Sequence, residues 1–192
     1  MTAIKSDLSM YSPALLNLIA VDKINELGPG VPDLAFKARL QTLDLSQAVS
    51  PQKIRNETFA AACHAALWLR HDFLDESHTI SQGIAHETGS YWHGLMHRRE
   101  GDYWNSKYWF RRVGGHRVYS DLQAALRQAF NRPHETDLIL PGAGKEWDPF
   151  YFVDLVEKSI GSGSETEILC RNVQRLEWLL QFDYTYRQAV GI

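Results

Sequence analysis

Apolar residues along the chain recur mainly at spacings of three and four, and no alternating polar/apolar stretch exceeds four residues, so the pattern predicts helices throughout. Ser12-Pro13, Ser50-Pro51 and Asp148-Pro149 each set a capping oxygen before a proline suited to the first helical position, where its missing N–H costs nothing. Helices are expected to begin at these three points. The first runs to about Leu27, with Leu15, Leu18 and Ile19 on one face and Gly28 as a left-handed stop. A second covers Pro32 to Leu43. A long Ala/Leu-rich helix extends from Pro51 or Asn56 to about Thr79, with Phe59, Cys63, Ala66, Leu67, Arg70 and Leu74 as its inner stripe.

Beyond Gly83, Ser90 caps a helix carrying Tyr91 to Arg99, and Asn105 to Val113 and Ser120 to Phe130 give two more. Residues 133–147 read as a loop, whose Pro141-Gly142-Ala143-Gly144-Lys145 lacks P-loop spacing. Pro149 opens a helix to Ile160, and Ser164-Glu165-Thr166-Glu167 forms a capping box for a last long helix to about Ala189. The expected fold is an all-α, irregular single-domain bundle of seven or eight helices over residues 1–192.

Composition narrows the setting. A chain of 192 residues buries about two thirds of its unfolded surface, and so needs neither disulfide nor structural metal to fold. Cys63 and Cys170 lie in apolar helical patterns that suit reduced core thiols, which points to the cytoplasm. No leader opens the chain and no apolar run nears the ~18 residues of a membrane span, so no membrane partner is expected. A net charge of -3 argues against nucleic acid as a partner. The cations are local, however, and binding of one small anionic molecule fits that locality.

The chemistry concentrates between residues 64 and 116, which hold seven of the eight histidines, four of the six tryptophans and two Arg-Arg pairs. His64, His71 and His78 recur every seven residues, a helical stripe stepping roughly 10 Å each time. Asp75 falls between His71 and His78 on that face, and Asp72 and Glu76 form a neighbouring pair. His93 and His97 are spaced i,i+4, which aims two imidazoles to one side, and Gly94 leaves room for close approach there. Arg98, Arg99, Lys107, Arg111 and Arg112 supply forks and point charges for phosphate, sulfate or carboxylate, although neighbouring arginines point about 100° apart. Tyr91, Trp92, Tyr103, Trp104, Tyr108 and Trp109 would wall such a pocket, and Asn105 adds a polar contact.

The run from Gly89 through Tyr91-Trp92-His93-Gly94-Leu95-Met96-His97-Arg98-Arg99-Glu100, followed by Asp102, Asn105 and Lys107 to Gly114, resembles the signature of a family of uncharacterised bacterial and fungal proteins. The block Leu69 to Gln82 resembles part of the same signature. This resemblance covers about the middle quarter of the chain. It implies that the window acts as one unit and implies no particular reaction.

Three functional classes follow. The first is a cofactor-free lyase or hydrolase on a small anionic metabolite, with His93, His97, His78, Asp75 and Glu76 in acid–base work and Arg98, Arg99, Lys107, Arg111, Arg112, Tyr91, Trp92 and Asn105 binding substrate. The second is a zinc or iron hydrolase or oxygenase with ligands from His71, His78, His93 and His97. The third is a ligand-binding or assembly protein, a homo- or hetero-oligomer whose arginine and aromatic residues form an interface.

Overall fold

The computed structural model describes residues 8–20, 22–130, 133–140 and 146–192, and all regular structure among them is helical. In chain order the elements are α1 (Pro13–Ile19), α2 (Leu34–Gln41), α3 (Leu45–Ala48), α4 (Glu57–Arg70), α5 (Leu74–Ser81) and α6 (Glu87–Glu100). There follow α7 (Tyr103–Val113), α8 (Arg117–Ala129), α9 (Pro133–Ile139), α10 (Pro149–Ser159) and α11 (Glu165–Val190). The eleven α-helices of the described residues exceed the expected seven or eight because short helices sit in stretches that read as loop, and because the long helix is broken.

Caps explain most of the boundaries. Ser12, Asp148 and Ser164 accept from backbone N–H groups at the starts of α1, α10 and α11. At α11 the capping box is modified, since Glu167 accepts from the N–H of Gly163, one residue before the cap. Ser50-Pro51 does not start a helix; its peptide is cis, and Asn56 caps α4. The first helix ends at Ile19 with Ala20 left-handed, well before Gly28. His86 rather than Ser90 caps α6, its Nδ1 accepting from the Thr88 N–H. The glycine-lysine run at 141–145 lies outside the described residues.

α11 is roughly 39 Å long at 1.5 Å per residue and forms the axis of the molecule. It packs on α4, α8 and α10, while α6 packs on α4, α5 and α7. Near its C-terminal half, Trp178, Phe182 and Tyr186 join Phe59, Leu67, Trp92 and Met96 in one core. Near its start, Leu169, Val173 and Leu176 join Leu122, Leu126, Phe152 and Val156 in a second. No helix among the described residues is long and apolar enough to cross a membrane.

The long helix expected to reach Thr79 breaks at His71–Phe73, where Asp72 adopts a left-handed φ of 66°. That conformation costs a non-glycine residue about 1 kcal/mol or more. Three distant partners hold it: Lys23 Nζ at 2.9 Å, Asn25 Nδ2 at 2.7 Å and Arg99 Nη2 at 2.5 Å all donate to the Asp72 carboxylate. The break turns α5 back toward α6, and this places His78.

Candidate functional site

α5 and α6 present three imidazoles to one another. The ring centroids lie 4.7 Å apart for His78 and His93, 5.3 Å for His78 and His97, and 4.7 Å for His93 and His97. One nitrogen from each ring can be chosen so that all three lie within 4.8 Å of one another. The i,i+4 spacing on α6 produces the stacked pair, and the turn after Asp72 supplies the third ring from outside that helix.

The surroundings fix two of the rings. Trp109, from α7, stacks on His93 at 3.9 Å and 14°. α7 is seated close to α6 because Ser106 Oγ donates to Gly94 O and the Phe110 ring sits over Gly94, where an added Cβ would lie 3.3 Å from it. The approach that Gly94 permits is therefore made by Phe110. His97 Nδ1 donates to Glu100 Oε2 at 3.0 Å, which leaves its Nε2 with the lone pair.

Burial keeps His93 and His97 neutral. Burial, then the neighbouring His97 and His78, push His93 down to about 3. His97 is also lowered by burial, partly offset by Glu100. Among the described residues neither nitrogen of His93 has a hydrogen-bond partner, although the residue is only 2% exposed. A buried, unsatisfied imidazole is costly to keep. Three imidazoles at this spacing are a donor set suited to a metal ion, and His78, half-buried, marks the side facing solvent.

The other candidates lie elsewhere. His71 does not join the trio; it is fully buried, stacked on Phe36 at 3.8 Å, and its Nε2 donates to Leu18 O. The helix break rotates it off the stripe. Asp75, exposed, and Glu76, half-buried, stand in the first turn of α5, and neither carboxylate belongs to the cluster.

The expected cationic pocket is not assembled around the histidines. Arg98 Nη2 donates to Glu177 Oε2 at 2.6 Å with both side chains fully buried, and Arg99 donates to Gly28 O, Pro29 O and Asp72. Lys107 pairs with Asp154. Tyr91 and Trp92 are core residues that donate to Glu177 Oε1 and Thr185 Oγ1. Asn105 closes the cap of α7, its N–H and Nδ2 both donating to Asp102. Arg111 and Arg112 are both exposed, and the Arg112 guanidinium lies over the Trp109 ring at 5.2 Å.

That last pair leads to a groove. Trp109 and Arg112, with Gln82, His86, Glu87 and Ser90, line an open hollow of about 530 Å³, within the size range of small-molecule sites; His78, His93 and His97 do not line it, and Trp109, stacked on His93, connects the two. Glu100 was not singled out by spacing, though its position three after His97 is a readable signal. Glu177, remote in sequence, carried none.

Compared with known proteins, the chain matches no family model, no curated protein and no solved structure, so the geometry of His78, His93 and His97 carries the functional argument.

Proposed function

We propose that the protein is a metal-dependent hydrolase whose centre is formed by His78, His93 and His97 and whose substrate is a small anionic molecule. The observation that carries this reading is the buried, unpartnered His93 imidazole held among two further imidazoles within 4.8 Å. Zinc is favoured over iron, because three imidazole nitrogens match a catalytic zinc set with an open position, whereas the usual non-haem iron triad includes a carboxylate that this cluster lacks. The three nitrogens lie within 4.8 Å of one another; tetrahedral zinc would want them about 3.3 Å apart, so the longest separation would shorten by up to about 1.5 Å.

Bound zinc supplies a Lewis acid and lowers the pKa of its water toward neutrality. The chain's own groups do the rest. Glu100 fixes the His97 tautomer, Trp109 packs over His93 and shields it from bulk water, and Arg112 offers a guanidinium to a carboxylate or phosphate lying in the groove. The anionic substrate thus rests on Arg112, since Arg98, Arg99 and Lys107 are held by carboxylates. Two free, buried cysteines support a cytosolic setting, and the overall charge supports a small ligand rather than nucleic acid.

The test is zinc binding to metal-free protein by calorimetry and elemental analysis. One equivalent bound in the wild type, lost in His93→Ala and His97→Ala with the fold retained, is the expected result. Failure of the wild type to take up zinc or iron refutes the proposal. A second reading, assembly, rests on Trp104, which is 70% exposed and stacked with Tyr108 on α7. If that face is an interface, Trp104→Ser lowers the oligomeric state in analytical ultracentrifugation.

A further inference from the structure

The turn between α5 and α6 and the C-terminal half of α7 frame the open hollow of about 530 Å³, whose wall includes Gln82, Ile84, Glu87, Ser90, Trp109 and Arg112. It carries a fixed charge of each sign. Arg112 is exposed; its guanidinium lies over the Trp109 ring at 5.2 Å and the Tyr108 ring at 6.0 Å, and its hydrogen bond goes to the neutral Tyr108 hydroxyl at 3.5 Å. Glu87, also exposed, stands in the first turn of α6. Among the described residues neither forms an ion pair, with the other or with a third group.

Ser90 is only 6% exposed, yet it lines the same hollow, and among the described residues its hydroxyl makes no hydrogen bond. Helical hydroxyls elsewhere in the chain are bonded: Thr79 Oγ1 donates to Asp75 O and Thr185 Oγ1 to Gln181 O, each one turn back. A buried hydroxyl that forgoes its own helix's carbonyl at the wall of an open hollow is free for whatever lies there. His86 is committed in part, because its Nδ1 accepts from the Thr88 N–H as the cap of α6.

The charges on that wall select what can lie against it. A phosphate or sulfate on Arg112 brings its own charge into the hollow that Glu87 faces, and like charges count against a ligand. The positive end of α6 favours a carboxylate in its first turn and by itself would account for Glu87. It does not account for an unpaired arginine and an unbonded buried hydroxyl on the same wall. A molecule with one anionic and one cationic end satisfies all three. Its carboxylate accepts from the Arg112 fork, its ammonium donates to Glu87, and the Ser90 hydroxyl meets the polar group between them. Ile84 and Trp109 leave apolar surface for a hydrocarbon side chain.

We infer that the hollow binds a small zwitterion of the amino-acid and dipeptide class, its carboxylate on Arg112 and its ammonium on Glu87. As a statement about the substrate of the proposed metal centre, this rests on that reading and narrows it: the anionic group on Arg112 is one end of a molecule whose other end is cationic. As a statement about a binding site it stands on the hollow alone, whose wall shares no residue with the cluster of His78, His93 and His97. The volume, about 530 Å³, is ample for a dipeptide and within the range of small-molecule sites.

Calorimetry on the full-length, metal-free protein tests this with three probes of similar size. Glycyl-L-leucine carries both charges, its N-acetyl derivative only the carboxylate, and its amide only the ammonium. The dipeptide should bind about fivefold tighter than either relative, the scale of one charged contact near solvent. Glu87→Gln should bring the dipeptide and its N-acetyl form to within about twofold of each other, and Arg112→Gln should do the same for the dipeptide and its amide. Both side chains are exposed, so the variants keep the wild-type urea midpoint. An N-acetyl form that binds the wild type as tightly as the dipeptide overturns the inference, as does a dipeptide that gives no binding. Zinc uptake is read separately on the same protein. A chain that takes zinc and ignores the dipeptide overturns this inference and leaves the metal centre standing; one that binds the dipeptide and refuses zinc supports the zwitterion site and overturns the metal centre.

Discussion

Replacing Glu100 by alanine isolates the contribution of the carboxylate behind the proposed metal ligand. Glu100 Oε2 accepts from His97 Nδ1 at 3.0 Å, so in the wild type the Nε2 lone pair is the one left for a metal. Without it a neutral His97 divides between two tautomers, which costs about 0.4 kcal/mol, or RT ln 2, before any loss of ligand basicity. Outer partners of metal-bound histidines contribute 10–100-fold to affinity. The Glu100 side chain is 50% exposed, so solvent screens it and the lower end applies. Glu100→Ala is expected to weaken zinc binding about tenfold, or about 1.4 kcal/mol, while Glu100→Gln, whose amide oxygen still accepts from Nδ1, falls between. Competition against a chromophoric chelator measures this, with unfolding of the metal-free forms as a control. The metal-free variant should unfold within a few degrees of the wild type, as expected for a surface residue. Zinc affinity in Glu100→Ala within twofold of the wild type would refute the role assigned to Glu100.

Other consequences are equally open to measurement. Glu177→Gln leaves the buried Arg98 without its carboxylate and should cost about 3–5 kcal/mol, read as a fall in urea midpoint. Gly89→Ala drives a Cβ to within 2.5 Å of Ile84 O, so the 82–86 turn between α5 and α6 must shift; about 1–3 kcal/mol of stability and part of the zinc affinity should go together. His116 accepts the Val118 N–H through Nδ1 at the start of α8, and burial, then His86, pull it down to about 4. Its unfolded value is about 6.5, so above that pH it has no effect on stability. As pH falls from about 6.5 to about 4 the unfolded chain takes up a proton that the folded one refuses, and roughly 3 kcal/mol is lost. His116→Asn, which keeps a capping acceptor, should flatten that part of the stability–pH curve, and an unchanged slope would contradict the assignment.

Helical periodicity and capping chemistry are local properties, and they made most of the fold legible from the sequence. Ser12, Asp148 and Ser164 mark true helix starts, and the i,i+4 spacing of His93 and His97 sets both rings on one side of α6. The break after Arg70 was not legible, because its cause is long-range: Asp72 is held left-handed by Lys23, Asn25 and Arg99, residues 49, 47 and 27 positions away. The same holds for Arg98, whose carboxylate comes from Glu177, 79 positions on. A cluster of arginines in a sequence shows where cations are; it does not show which carboxylates will meet them.

The angular arithmetic of one helix explains why its histidines and arginines separate. On α6, successive residues turn by about 100°, so Arg98 stands a quarter turn or more from His97 and Arg99 stands about 200° from it, nearly opposite. His93 and His97 therefore share a face from which Arg99 is excluded by geometry alone. That face meets α5 and α7 and keeps His93 and His97 neutral; the other meets α4, and Tyr91, Trp92 and Arg98 reach α11 through Glu177 and Trp178. A cation is the occupant that neutral nitrogens favour, whereas Arg98 and Arg99 on the other side already meet Glu177 and Asp72. Breaking the Arg98–Glu177 pair should therefore leave the zinc affinity of the histidine face nearly unchanged; a severalfold shift of the zinc Kd in Glu177→Gln would show instead that the two faces of α6 act together.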